Sequence, residues 1–245
     1  MKDEKINFLK KVADVSDEVL IKKFTSADKK GVEKNSITVA DKSLTYMIYS
    51  SQDKVFDDTF GMKNVKDFLR NFRSFDGFKE EKNNIIFKDK GKKVTFRKLD
   101  SRVVDDIPIP KINIEGYTYL VLTNGNIKKI IDGFKDYKDL SDYASFSVDK
   151  DDTLTMKIGE EDYENIFELE IANIKRKTHE EVKFITNLDN LYKLFKSLDI
   201  HRDGNKVTMY IKPDNPMVII ENNDLTLTKY YVAPITPDEE FEDMG

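Results

Sequence analysis

Most of the chain is patterned for strands. NNIIFKD, KVTFRKL, YASFSVD, LTMKI, NIFELEI, KVTMYIK and PMVIIEN are short segments rich in β-branched and aromatic residues, most of them with apolar side chains at alternate positions. This predicts strands with one covered face. Polar turns such as DKGKK and HRDGNK separate them. Four stretches switch to helical spacing, beginning near Ile6, Asn64, Asn124 and Asn187. They recur at intervals of about 60 residues, with room for three to five strands between successive helices. The predicted organisation is α+β: one helix plus a small group of strands, used four times, with the repeat carried by pattern rather than residue identity.

The helix faces carry a second pattern. In NVKDFLRNFRSF, Val65, Phe68, Leu69 and Phe72 form an apolar stripe at i, i+3, i+4, i+7, while Lys66, Arg70 and Arg73 share another face. In NGNIKKIIDGFKDYK the stripe is Ile127, Ile130, Ile131 and Phe134, with Lys128, Lys129, Lys135 and Lys138 outside it. Leu188, Leu191, Leu194, Phe195 and Leu198 pack in the last helix and leave Lys193 and Lys196 free. The first is shorter: Ile6, Leu9, Val12 and Ala13 pack, leaving Lys5, Lys10 and Lys11 outside.

Charge changes the meaning of that pattern. The net charge of −5 disfavours a nucleic-acid partner if taken over the whole chain. The acids, however, concentrate in turns, strands and the terminal segment, among them Asp57, Asp58, Asp149, Asp151, Glu160, Glu161, Asp238, Glu239 and Glu240. Two readings stand. The lysines are ordinary solvated helix residues, or the helices share one basic side that binds phosphate backbone without reading sequence.

Pro108 and Pro110 in LDSRVVDDIPIPKINIEGY remove two backbone donors and hold the chain extended. Two helix-plus-strands units precede this stretch and two follow. The expected organisation is an N-terminal domain 1–102, a connector 103–115, a C-terminal domain 116–236 and an acidic tail 237–245. The connector's Ile107, Ile109, Ile112 and Ile114 either bury themselves along a sheet or wall a groove for a partner, and both readings can hold. Two strand edges carry opposite charge: Lys93, Arg97 and Lys98 in KKVTFRKLDSR, against Glu164, Glu168 and Glu170 in EEDYENIFELE. Such edges suit a heterologous, head-to-tail contact between copies that closes into a ring, or they are neighbours or solvated edges within one chain.

No constellation for catalysis is present. Cysteine is absent, and His179 and His201 lie in unrelated polar stretches. No phosphate-binding glycine loop, HExxH or GxSxG occurs. DKDDTLTMKIGE places acids at calcium-loop positions but has Leu154 where that loop needs glycine, so a hairpin is expected. No enzyme activity, cofactor or metal is expected. No apolar run approaches the roughly 20 residues of a membrane span, and MKDEKINFLKK has no signal-peptide apolar segment. A cytoplasmic location is expected, the host cytoplasm if the chain is phage-encoded.

Two similar halves, four basic helices, a proline-containing connector and complementary edges resemble the DNA sliding clamps, of the proliferating-cell-nuclear-antigen type and of tailed phages. The most specific motif is the C-terminus. That family ends in a strand reading Tyr-Tyr-Leu-Ala-Pro and a short acidic tail; here Tyr230, Tyr231, Val232, Ala233 and Pro234 precede Asp238, Glu239 and Glu240. IPIP in VVDDIPIPKI is similar to the interdomain connector, and VADKSLTYM stands where the nuclear clamps carry a Met-Asp-Ser-Ser-His-like loop.

The resemblance implies a head-to-tail ring, usually a homotrimer, with helices lining the hole and sheets outside. It implies double-stranded DNA as a sequence-independent partner, a DNA polymerase tethered for processive replication, and an ATP-driven clamp loader. The DNA-facing candidates are then Lys5, Lys10, Lys11, Lys66, Arg70, Arg73, Lys128, Lys129, Lys135, Lys193 and Lys196. A pocket for partner peptides would draw on Ile107, Pro108, Ile109, Pro216, Tyr231, Ala233 and Pro234, with Val39 and Tyr46. Two other readings remain: a non-encircling monomeric or dimeric polymerase accessory factor, and a β-rich interaction protein with no DNA role. Along the last strand Leu225, Leu227, Tyr231 and Ala233 share one face, with Tyr230 and Val232 on the other. Its end is therefore apolar on both faces and must be covered on both, by this chain or by a docked peptide.

Overall fold

The computed structural model describes residues 6–26, 31–151, 153–159, 165–171, 175–176, 181–202 and 204–235. The chain divides into two compact units, residues 1–43, 47–111 and 224–229 in the first, and residues 44–46, 112–223 and 230–245 in the second. Each unit thus includes a short piece of the other's stretch of chain. Among the described residues there are four α-helices, and all strand pairings between named strands are antiparallel.

The first unit begins with α1 (Asn7–Val12), β1 (Glu18–Thr25), β2 (Glu33–Ala40), β3 (Tyr46–Asp53) and β4 (Phe60–Lys63). Then follow α2 (Val65–Ser74), β5 (Phe78–Glu80), β6 (Asn84–Asp89), β7 (Lys92–Arg97) and a 3-10 turn, Ser101–Val103. One sheet runs β3–β2–β1–β4, and a three-stranded sheet runs β5–β6–β7. DKGKK makes the β6–β7 turn with Lys90 at φ 44° and Gly91 at φ 81°. Positive φ at both central residues suits the right-handed twist of a two-residue hairpin, which is why glycine sits there. The core of this unit is a phenylalanine cluster. Val65, Phe68, Leu69 and Phe72 of α2 are buried, and the Phe68 ring lies 5.3 Å from both Phe87 and Phe96. Residues 105–114 contain no regular element, as two prolines require.

The second unit contains β8 (Thr118–Leu122), α3 (Asn124–Tyr137), β9 (Tyr143–Val148), β10 (Leu154–Ile158), β11 (Phe167–Ile171), β12 (Lys175–Arg176) and β13 (Val182–Asn187). After these come α4 (Leu188–Ser197), β14 (Lys206–Ile211), β15 (Met217–Asn222) and β16 (Thr226–Val232), of which Thr226–Lys229 belong to the first unit. The sheets run β11–β10–β9–β13 and β12–β8–β14–β15. Phe134 of α3 packs 5.8 Å from Phe195 of α4, which lies 5.8 Å from Phe146 of β9. Ile131, expected in the stripe of α3, sits half-buried at its flank. The acidic stretch after β9 is a hairpin turn, in which Asp149 Oδ1 accepts from the backbone N–H groups of Asp151 and Thr153.

Candidate nucleic-acid interface and docking surfaces

Within each unit two helices lie side by side. Lys66 of α2 pairs with Asp14, just beyond α1, at 3.1 Å. In the second unit Phe134 of α3 packs on Tyr192 and Phe195 of α4. The cations sit opposite the apolar stripes. Lys66, Arg70 and Arg73 of α2 are exposed, as are Lys128, Lys129 and Lys135 of α3 and Lys193 and Lys196 of α4. Acids interrupt them: Arg70 pairs with Asp67 at 3.0 Å, and Asp132 and Asp136 stand exposed on α3. Each of these helices retains a cationic excess. Lys196 also lies 5.8 Å over the ring of Tyr192 on its own helix.

The first helix contributes less than its sequence suggests. α1 has only six residues, of which Asn7, Phe8, Leu9, Lys11 and Val12 are buried. Too short to keep one face in water, it takes Lys11 down to 6% exposure, so Lys11 is not a phosphate contact. Lys10 is half-buried, and Lys5 lies outside the described residues.

The two charged edges are outermost strands. On β7 Lys93 and Arg97 are exposed; on β11 Glu168 and Glu170 are exposed. Lys98 does not belong to the basic edge. Its side chain is 4% exposed, pairing with Asp58 at 3.0 Å and Glu80 at 2.5 Å; it lies just past the end of β7, where the chain bridges to Gly61 through Leu99. Glu164 lies outside the described residues. A groove of about 510 Å³ separates α2 from β7, lined by Lys63, Asp67, Arg70, Val94, Phe96 and Arg97 among others. Beside β11 the Tyr137 ring stacks on Phe167 at 4.0 Å, and Tyr137, Leu140 and Ile166 are each just over 40% exposed. The helix approaches this strand through Gly133, where a Cβ would stand 2.8 Å from the Phe167 ring.

The terminal strand is closed on both faces by its own chain: Tyr230 and Val232 are 0% exposed and Tyr231 6%. Val39 and Tyr46 are likewise buried, both on the inward face of their strands. None of Tyr231, Val39 and Tyr46 lines an open surface. What remains accessible in the second unit is a rim. Ala233 and Pro234 are half-buried, and Leu44, in the turn that places Thr45 against Ala233, is 65% exposed. The Ala233 N–H donates to the Thr45 carbonyl at 2.8 Å. Leu44 has φ 59°, a left-handed conformation costly for a branched side chain. Leu44 is thus a bulky apolar residue held exposed and strained, which sequence pattern alone missed because a lone leucine in DKSLT has no periodicity. Pro216 is half-buried before β15. In the first unit's connector, Ile107 is half-buried while Pro108 and Ile109 are exposed, and Asp106 is ion-paired with Lys22.

Below the rim lies a buried polar cluster. The Tyr230 hydroxyl donates to Glu221 Oε2 at 3.0 Å. Glu221 Oε1 accepts from the Asp199 N–H at 2.7 Å and Asn205 Nδ2 at 3.0 Å. Burial, and then the neighbouring Glu221 carboxylate, hold the Tyr230 hydroxyl well above its ordinary range, so it stays protonated as a donor. His201 is exposed, and no group of metal-ligating side chains occurs among the described residues. Nor is any described helix long and apolar enough to cross a membrane.

Neither the protein-family models nor the curated proteins include a match to this sequence. Solved structures do match in fold. A. fulgidus PCNA bound to the C-terminal region of FEN-1 superposes with a TM-score of 0.74 at 15% identity, covering 96% of this chain and 97% of that one. The Sulfolobus tokodaii PCNA2–PCNA3 complex gives 0.71 at 16% identity over 96% and 97%. PCNA from Thermococcus kodakaraensis gives 0.71 at 14% identity over the same shares. The chain has the fold of the PCNA sliding clamps over nearly its whole length.

Proposed function

We propose that this chain is a sliding clamp, a non-enzymatic scaffold that encircles duplex DNA and tethers a DNA polymerase. The observation that carries the reading is the exposed cationic face of α2, α3 and α4 on a clamp fold that covers 96% of the chain. Lysine and arginine side chains on helices, with no base-reading element, give weak contacts to phosphate that are salt-screened and indifferent to sequence. Sliding then meets small barriers, and the ring's closure rather than its affinity keeps it on DNA. Tethering acts by raising the local concentration of polymerase at the primer end.

Copies join head to tail, three to a ring, with β7 of one chain beside β11 of the next. Arg97 and Lys93 meet Glu168 and Glu170, and the Tyr137–Phe167–Ile166 patch meets the groove beside α2. Opposite charges fix register, and the apolar patch supplies most of the affinity. A loader that uses ATP opens the ring. Partner peptides dock on the second unit at Leu44, Ala233 and Pro234, and the connector's Ile107, Pro108 and Ile109 offer a further apolar surface in the first unit.

The decisive experiment combines native mass with retention on DNA. A trimer that stays on a nicked circle and runs off once the circle is linearised is the expected result. A stable monomer at micromolar concentration, held equally by circular and linear DNA, would identify a non-encircling accessory factor instead.

A further inference from the structure

The ends of α3 and α4 are secured differently. α3 is capped by its own neighbours: the Thr123 hydroxyl accepts from the Asn126 N–H at 3.1 Å, and Asn126 Oδ1 accepts from the Thr123 N–H at 2.9 Å. α4 has a local cap as well, Asn187 accepting from the Asn190 N–H at 3.1 Å, but long-range bonds reinforce it. Asn190, in the first turn, donates its Nδ2 to Thr45 Oγ1 at 3.2 Å. The carbonyl of that same Thr45 accepts from the Ala233 N–H. Thr186, one residue before the cap and 1% exposed, donates its hydroxyl to the Ala233 carbonyl at 2.6 Å. The Ile235 N–H donates to the Ile185 carbonyl at 2.9 Å. Beyond the helix, the Asp199 N–H donates to Glu221, the acceptor of the Tyr230 hydroxyl. Among the described residues, the segment 230–235 therefore holds the start of α4 through Thr45, Thr186 and Ile185 and its end through Glu221, with no such bond to α3.

We propose that Thr45, Thr186 and Asn190 couple a peptide docked at Leu44 and Ala233–Pro234 to the phosphate-facing lysines of α4. The inference rests on the clamp reading and adds a regulatory link to it. The rim and the helix share backbone and side-chain hydrogen bonds, so a peptide that fixes Thr45 and Ala233 also fixes the first turn of α4. Lys193 stands three residues beyond Asn190 and Lys196 six, on the same rigid element. By linkage the effect is reciprocal: phosphate on α4 tightens the rim by the same factor that a peptide at the rim tightens the grip on DNA. Lys128, Lys129 and Lys135 of α3, capped locally, respond to DNA but not to the rim.

The test uses Thr45→Val and Thr186→Val, near-isosteric changes that each delete one hydroxyl, in the full chain. Amide hydrogen exchange is read in α4, in 230–235 and in α3. For the free protein the proposal expects roughly fivefold faster exchange in both α4 and 230–235, the effect of losing one ordinary hydrogen bond, with α3 unchanged. Thr186→Ser, which keeps the hydroxyl, restores wild-type exchange. Acceleration confined to 230–235, with α4 at its wild-type rate, overturns the link. In a second arm a short duplex at low salt is added. The wild type is then expected to slow exchange in α4 and in 230–235, and the Thr45→Val/Thr186→Val double variant in α4 alone. Slowing in α4 without slowing in 230–235 of the wild type overturns the coupling while leaving the DNA reading intact. No slowing on any helix removes the DNA reading, and the coupling with it.

Discussion

Lys98 is the residue whose neighbours most change what its sequence position implies. It follows a basic edge strand, yet its ammonium lies between Asp58 at 3.0 Å and Glu80 at 2.5 Å and 4.9 Å over the ring of Phe60. Replacing it by methionine keeps the stem packed and removes the charge. Asp58 loses little, since its side chain is 59% exposed and exposed pairs are worth about 0–1 kcal/mol. Glu80 is 11% exposed and keeps the Asp57 N–H at 2.8 Å as a donor to its carboxylate. Removing one partner of a buried pair costs about 3–5 kcal/mol, so Lys98→Met should lose about that much. For a chain of this size that is a fall in Tm of about 6–20 °C. The pairing also fixes the pH response. Burial alone pushes the ammonium down, but the bonds to Glu80 and Asp58 outweigh it, and the folded value lies above 10.5. The stabilisation is fully present below 10.5 and fades only as pH rises through that higher folded value. Urea unfolding of Lys98→Met and of Lys98→Met/Glu80→Gln measures the effect. The double variant should recover most of the loss, because an amide needs no counterion. A single variant within about 1 kcal/mol of wild type, or a double no better than the single, would refute the argument. Weakened assembly of a fully folded Lys98→Met would return the residue to the subunit edge.

Neutralising Lys66, Arg70 and Arg73 to glutamine should lower the salt slope of duplex binding by about 0.9 for each phosphate that α2 no longer neutralises; an unchanged slope in anisotropy titrations removes α2 from the interface. Arg97→Glu and Glu168→Arg should each weaken ring assembly in sedimentation, and the two combined in one chain should restore it, since every head-to-tail contact then again sets opposite charges against each other. Leu44→Asn should hold or raise Tm, because asparagine tolerates positive φ, while docking of an aromatic-anchored peptide weakens by about tenfold or more once the apolar side chain is gone; scanning calorimetry reads the first and calorimetric titration the second. Hydrogen bonds from Lys23 and then Lys54 hold the Glu33 carboxyl at about 2. That depressed value stabilises the fold above pH 4.5, and the contribution is lost as pH falls toward 2. An NMR titration should find Lys54→Met moving it back up.

Periodicity located the helices well, because an amphipathic stripe is a local signal. Phe68 and Phe72 sit where a 3.6-residue repeat puts them, and the Lys90–Gly91 turn is dictated by local chemistry. Exposure of individual cations was less legible. Lys11 and Lys98 look like their neighbours in sequence, and their burial is decided by the shortness of α1 and by two carboxylates, one 18 and one 40 residues away. The aromatic terminus was recognisable as a strand needing cover on both faces, but which of its residues stays accessible depended on the turn at Leu44. Asn35 marks the same limit. Its buried side chain holds the Val55 and Phe56 N–H groups at 2.7 and 2.8 Å, and no local pattern around an asparagine in a strand announces that.

The division of β16 has a consequence for biosynthesis. Residues 224–229 complete the first unit, and residues 44–46 belong to the second. A nascent chain leaving the ribosome has made all the rest of its first unit by residue 111, yet that unit waits for more than a hundred further residues before its final piece emerges. The last piece of the first unit is therefore made only after nearly all of the second. That piece, 224–229, directly precedes the last piece of the second unit, which starts at residue 230.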